Sequence, residues 1–189
     1  RIPVIEMVEI GAGGGSIAGL DALRQIAVGP RSAGSNPGPA CYDRGNEDAT
    51  VTDADVVMGR INPASFAGGK ITLAPEKSEA AIAAAIGEPL GLSNDIAAAG
   101  VDEIVNENMA AAAKVYVTEH GEDPGYYTLV AFGGCGPVHA ADLARRLGIG
   151  SVLIPPRAGV ASAIGMVVAP VSYDTVRTNR VRVAAADFT

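Results

Sequence analysis

Tyr127 to Ile154 reads YTLVAFGGCGPVHAADLARRLGIGSVLI, and its punctuation decides the fold class. Tyr127 to Phe132 is a short apolar run suited to a buried strand. Gly133, Gly134, Cys135 and Gly136 form a tight turn, and Pro137 stands where a helix starts, a position that needs no amide hydrogen. Val138 to Leu147 continues with helical spacing until Gly148 ends it, and Ser151 to Ile154 is a second short strand stopped by Pro155 and Pro156. Strand, helix and strand in this order imply an α/β domain with partly parallel pairing.

Downstream, Ala158 to Val168 reads as a buried helix of small residues, and Val171 to Val183 alternates enough for one or two strands. Upstream, Ser93 is a good N-cap for the longest helix, roughly Asp95 to His120, with Gly121 as its C′ residue. Its apolar stripe includes Ile96, Ala99, Ile104, Val105, Met109, Ala112, Ala113, Val115, Tyr116 and Val117. Pro75 opens an alanine-rich helix reaching about Ile86, and Thr52-Asp53 is read as the cap of a short helix over Ala54 to Arg60. Residues 29–50 are loop-like, and Val4 to Ile10 alternates as a strand. Ile17 to Val28 stays open: apolar residues at 17, 20, 23 and 27 fit a helix, whereas Ile26-Ala27-Val28 before Gly29-Pro30 fits a strand.

Composition narrows the function. The 189 residues suit one domain or a large piece of one, and 48% apolar residues are enough for a core. A net charge of −7 and the lack of a basic stripe argue against nucleic-acid binding, and 3 Phe, 5 Tyr and no Trp supply few stacking surfaces. No apolar run approaches the roughly 18–20 residues of a membrane span. Cys41 and Cys135 make neither a CxxC pattern nor zinc-ligand spacing, and read as two buried thiols of a reducing, cytoplasmic setting. The chain opens at Arg1 inside what reads as a strand, so the expectation is a single domain, residues 1–189, belonging to a larger polypeptide.

Glycine is over-represented, at 24 of 189 residues against an average of about 7%. Two clusters carry the chemistry. In Gly11-Ala12-Gly13-Gly14-Gly15-Ser16, bare backbone lets N–H groups approach an oxyanion and Ser16 adds a hydroxyl; a flexible turn or a close crossing is the plainer reading. No Walker lysine follows it, and Gly13, Gly15 and Ala18 fit a dinucleotide fingerprint only formally. The second cluster, Gly133, Gly134 and Gly136, lies where a strand ends and a helix begins, so a ligand there meets a positive helix terminus. His139, in the first turn of that helix, is read as packing or capping, and His120 as a partner of a helix C-terminus. Asp53 and Asp55 are either helix-start acids or holders of Mg2+ with a nucleotide.

Taken together, IGAGGGSIA (10–18), VGPRSAGSNPGPACYDRG (28–45), TVTDADVVMGRI (50–61), TLVAFGGCGPVHAADLARRLGI (128–149) and IPPRAGVASAIGMVVAP (154–170) resemble the hydantoinase A / 5-oxoprolinase family, in order and spacing. The resemblance covers roughly residues 1–180. It implies a ribonuclease-H-like half of an actin-like, sugar-kinase-like ATPase fold, a mixed sheet flanked by helices. It implies ATP and Mg2+ as cofactors and a small cyclic amide, a hydantoin or 5-oxoproline, as the molecule acted on. It also implies a hydantoinase B-type partner subunit, and ATP-dependent acetone and acetophenone carboxylase subunits share the module. By the same resemblance, Gly133, Gly134 and Gly136 hold adenosine, and Gly11, Gly13, Gly14, Gly15 and Ser16 lie near phosphates or substrate. Both bends then face a common crevice. The family's Asp-x-Gly-Gly-Thr phosphate loop does not occur in these residues, so the expectation is the carboxyl-terminal half of the module with little turnover by itself. The family's hairpin turn contains glycine, and the equivalent Asp21-Ala22-Leu23-Arg24-Gln25 does not.

Overall fold

The structure is a computed structural model that describes residues 7–171, 173 and 175. Residues 4–6 of the strand expected at Val4 to Ile10 lie outside the described residues, and 7–10 form no strand. Most of Val171 to Val183 also lies outside them.

The ambiguous stretch is a hairpin. Strand β1 (Ser16–Leu20) pairs antiparallel with β2 (Ile26–Ser32), with Ala18 opposite Val28 and Leu20 opposite Ile26. The turn works without glycine because Arg24 itself adopts a left-handed φ of 60°. Asp21 Oδ1 accepts hydrogen bonds from the N–H groups of Leu23 and Gln25, both at 2.8 Å, and so closes the turn from a side chain.

Helix α1 (Val51–Val57) begins three residues earlier than the Ala54 start its hydroxyl-acid pattern suggests. The N-cap is Thr50, whose side chain accepts from Asp53 N–H while the Asp53 carboxylate reaches back to the Thr50 backbone. This capping box makes Asp53 the third helical residue, where an acid complements the helix dipole. Helix α2 (Pro75–Ile82) widens into a π turn over Ala83–Gly87 and closes with the short α3 (Glu88–Leu90), stopped by Gly91 at φ 68°. The widening precedes Pro89, which has no N–H to donate.

Helix α4 (Asn94–Glu119) has Ser93 as its cap, as expected. Its buried face differs from the expected stripe: Ala97, Ala98, Val101, Asp102, Val105, Asn106 and Ala110 are inside, while Ile96 and Val115 are exposed. Alanine and paired polar residues give a weak hydropathy signal, so the most apolar line was not the buried one. The main core joins this face to Val51 and Ala54 of α1, Ala81 and Ile82 of α2, Ile86, and Ala18 and Val28 of the hairpin. Each fully buried Val or Ile contributes about 1.5–3 kcal/mol. Gly100 lets α4 lie close on β2, since a Cβ there would stand 2.5 Å from Ile26 Cδ1.

The carboxyl-terminal part has the expected strand–helix–strand order. Strand β3 (Thr128–Val130) pairs parallel with β4 (Ser151–Leu153) across helix α5 (Gly136–Leu147), which ends at Gly148 with φ 69°. Two expectations fail here. β3 and β4 are largely exposed rather than buried, with Phe132 and Leu153 open to solvent. Helix α6 (Ala161–Val168), which follows a 3-10 turn at Ala158–Val160, has no buried residue. Apolar composition predicts burial only where a second layer exists, and among the described residues none lies over this face.

Candidate functional site

The two glycine bends meet. Gly14, Gly15, Gly134 and Cys135 line one cleft of about 750 Å³, together with Thr52, Arg60, Tyr42 and Phe66. That volume lies within the usual range for small-molecule sites, about 300–1,000 Å³. The closest approach is at Gly14, where an added Cβ would stand 2.7 Å from Thr52 Oγ1 and 3.2 Å from Cys135 Sγ. Only a residue without a side chain lets this bend touch both α1 and the start of α5.

Hydrogen bonds fix the orientation of the first bend. Gly14 O accepts from Thr52 N at 2.8 Å and Thr52 Oγ1 at 2.9 Å, and Gly15 O accepts from Ala33 N at 2.8 Å. A trans peptide then turns the Gly15 N–H away from α1. The second bend brings the N-terminus of α5 to the cleft through Gly134, Cys135 and Val138, and the N-cap Cys135 makes no side-chain capping bond. Of the remaining expected site residues, Gly11, Gly13, Ser16, Gly133 and Gly136 are not on the cleft wall. The Ser16 hydroxyl is turned inward, accepting from Gly13 N–H at 3.0 Å and lying 3.4 Å from Gly11 O. Gly133 N–H bonds to Ala158 O and ties the second bend to the turn before α6.

Behind the cleft wall lies a buried ionic cluster that motif spacing did not disclose. His139 on α5 is 3% exposed. Its Nε2 stands 3.4 Å from Asp55 Oδ2 on α1, and its Nδ1 stands 3.4 Å from Asp102 Oδ1 on α4. Both separations are long for hydrogen bonds, and neither ring nitrogen makes an aligned one; the attraction is ionic. Burial opposes a charge on His139, but the close Asp55 carboxylate and the Cys135 sulfur outweigh it and raise its pKa from 6.5 to about 10. Asp102 is held from its other side by Arg60 in a bidentate pair at 2.7 and 2.8 Å, and by Asn106 Nδ2 at 2.9 Å. Arg60 also reaches Asp142 at 2.9 Å. Cys135 Sγ lies 3.8 Å from Asp55 Oδ2, which links the cluster to the cleft.

Asp53 and Asp55, two residues apart in the sequence, part company in the fold. Asp53 turns toward the loop and α2 as a structural acceptor, while Asp55 faces His139. His139 is thus neither a helix cap nor apolar packing. The sequence signal that would have found the cluster is its set of chemistries on three apolar helices, since 42 residues separate Arg60 from Asp102 and 80 separate Asp55 from Cys135.

The hydantoinase/oxoprolinase family model matches residues 1–175. The chain is 46% identical to the acetophenone carboxylase gamma subunit of Aromatoleum aromaticum, covering 87% of this chain and 22% of that one. It is 40% identical to the caprolactamase subunit alpha of Pseudomonas jessenii, covering 94% of this chain and 25% of that subunit. The solved structure of that ATP-dependent caprolactamase superposes with a TM-score of 0.79 at 41% identity, over 87% of this chain and 24% of that one. A nucleotide-free acetone carboxylase, an ATP-dependent system, superposes at 0.77 with 37% identity, over 82% of this chain and 22% of that one. The chain therefore spans about a quarter of the length of these relatives. Its mixed α/β architecture of small sheets and helices is consistent with an actin-like ATPase fold.

Proposed function

The chain belongs to the hydantoinase/oxoprolinase family, and from that premise we propose that it forms the carboxyl-terminal half of an ATP-dependent module that opens a cyclic amide such as a hydantoin or 5-oxoproline. The observation that carries this reading is the shared cleft of Gly14, Gly15 and Gly134 at the N-terminus of α5. Bare backbone and a positive helix terminus suit a phosphorylated ligand, and Tyr42 and Phe66 offer apolar surface beside it. In this reading Gly14, Gly15 and Gly134 contact the nucleotide. Gly11, Gly13, Ser16, Gly133 and Gly136 shape the two bends behind them.

ATP activates an amide oxygen by phosphorylation, and this chain's residues orient the nucleotide and keep part of it out of water. Mg2+ fits this chain poorly. No carboxylate is among the described residues of the cleft wall, Asp53 is committed to backbone and hydroxyl donors, and Asp55 faces a histidine and a thiol. The similarity to subunits of multi-subunit enzymes supports a partner of the hydantoinase B type. No described helix is long and apolar enough to cross a membrane, and ATP use suits a cytoplasmic setting.

Calorimetry with ATP and ADP, followed by a steady-state ATPase assay with hydantoin or 5-oxoproline, tests the proposal. We expect saturable nucleotide binding with little turnover by the 189 residues alone, and cyclic-amide-stimulated hydrolysis in the assembled enzyme. No nucleotide binding in either form overturns it. The 46% identity to a carboxylase subunit favours one second reading, carboxylation, which incorporation of labelled bicarbonate into product would reveal. Saturable binding with no hydrolysis even in the assembly would make the chain a nucleotide-binding assembly piece.

A further inference from the structure

The geometry points to a transition-metal site of the zinc class formed by Asp55, Cys135 and His139 on the inner wall of the cleft. One ligand atom from each residue lies within 4.8 Å of the other two. On a tetrahedral ion with metal–nitrogen and metal–oxygen distances near 2.0 Å and metal–sulfur near 2.3 Å, neighbouring ligands stand about 3.3–3.5 Å apart. The 3.4 Å between His139 Nε2 and Asp55 Oδ2 matches that edge, and the 3.8 Å between Cys135 Sγ and Asp55 Oδ2 is only slightly longer.

Two further observations support a ligand here. Asp55 Oδ1 and both His139 ring nitrogens lack a hydrogen-bond partner, although Asp55 is 0% and His139 3% exposed. Buried polar atoms at this depth are ordinarily satisfied. On the far side of the ring, Nδ1 faces Asp102, itself fixed by Arg60 and Asn106. A carboxylate behind a histidine is the usual support of a metal-bound imidazole, because it fixes the tautomer and orients the ring.

One sulfur, one nitrogen and one oxygen select a borderline-soft ion rather than Mg2+ or Ca2+. Binding releases the Cys135 thiol proton and the proton on His139 Nε2 to solvent, while the Nδ1 proton stays toward Asp102. Three protein ligands leave a fourth position for water or substrate, as in catalytic zinc sites. Cys135 places that ion at the cleft wall. The site stands whether or not the cleft takes a nucleotide. Its rival is a histidinium held between Asp55 and Asp102 with no ion at all.

Cobalt(II) titration of the metal-stripped protein, as its gene expresses it, separates the two. We expect one equivalent to produce visible bands of a low-coordinate ion and a near-ultraviolet thiolate-to-cobalt charge-transfer band, with zinc displacing the cobalt. Cys135→Ser, conservative and on the cleft wall, should abolish the charge-transfer band with an unchanged circular-dichroism spectrum. Asp102→Asn should weaken cobalt binding about 10–100-fold and keep the band, as removal of a positioning residue does. A wild-type protein that shows no thiolate band at saturating cobalt, or a band that survives Cys135→Ser, overturns the assignment.

Discussion

Asp53 receives donors from three parts of the chain: Ala40 N and Cys41 N at 3.1 and 2.8 Å, Thr50 N and Oγ1 at 3.0 and 2.7 Å, and Ser78 Oγ at 2.8 Å. The carboxylate thereby pins the proline-rich loop and α2 to the start of α1. Its reading as a helix-start acid was available from the sequence, but the long-range donors were not, because nothing local marks a loop amide as needing a buried acceptor. Cys41, beside it, is 0% exposed. Burial, then the charge and hydrogen bonding of Asp53, push its thiol from 9.0 up to about 12. A pKa raised in the folded state means the unfolded chain loses this proton first. The associated stability is complete below pH about 9 and is lost as pH rises toward about 12, at up to about 1.4 kcal/mol per pH unit. Urea unfolding followed from neutral to alkaline pH should show a Cys41→Ala variant with a flatter decline above pH about 9; parallel curves for the two proteins would contradict this.

Among the elements, the two glycine bends show how unequal superficially similar glycines are. Gly13 has nothing within 4 Å of an added Cβ, whereas Gly14 would press Thr52 Oγ1 and Cys135 Sγ. Gly14→Ala should therefore lift the first bend off α1 and α5 and weaken ATP binding by at least about tenfold, a change near 1.4 kcal/mol. Gly13→Ala should change it less than about twofold; equal effects in calorimetry would show that the contact at Gly14 does not shape the cleft. The pattern GAGGGS disclosed that a close backbone approach occurs, but not at which position, since the tight neighbours come from residues 52 and 135. The hairpin is ambiguous in the sequence for a similar reason. Its turn has no glycine, and the Asp21 side chain with a left-handed Arg24 takes over that role. Helix α4 was legible in extent from Ser93 and Gly121, yet its inner face was not, because small and paired polar residues form it.

At the scale of the whole molecule, α5 is docked on α4 by charge as much as by packing. Arg60 bridges Asp102 and Asp142, and Arg146 pairs with Glu103 and, at 2.9 Å, with Glu107. The Arg60 and Asp102 side chains are 24% and 11% exposed, so removing the guanidinium leaves two carboxylates near a partly dry interface. Arg60→Met should lower the opening free energy of α5 by about 2–3 kcal/mol, read by native-state hydrogen exchange, with a smaller loss in α1 and the first turns of α4. A uniform loss across all helices would show instead that the molecule opens as one unit. The sequence by itself determined the strand–helix–strand order after Tyr127, the caps of the long helix, the two bare-backbone bends and the family, because each is written in local chemistry: glycine, proline, capping hydroxyls and continuous motif strings. Only the tertiary structure decided that Gly14 touches Cys135, that Asp55 and Asp102 flank His139, and that β3, β4 and α6 lie open, because these depend on which elements pack together across about 40 to 120 residues and on what covers an apolar surface.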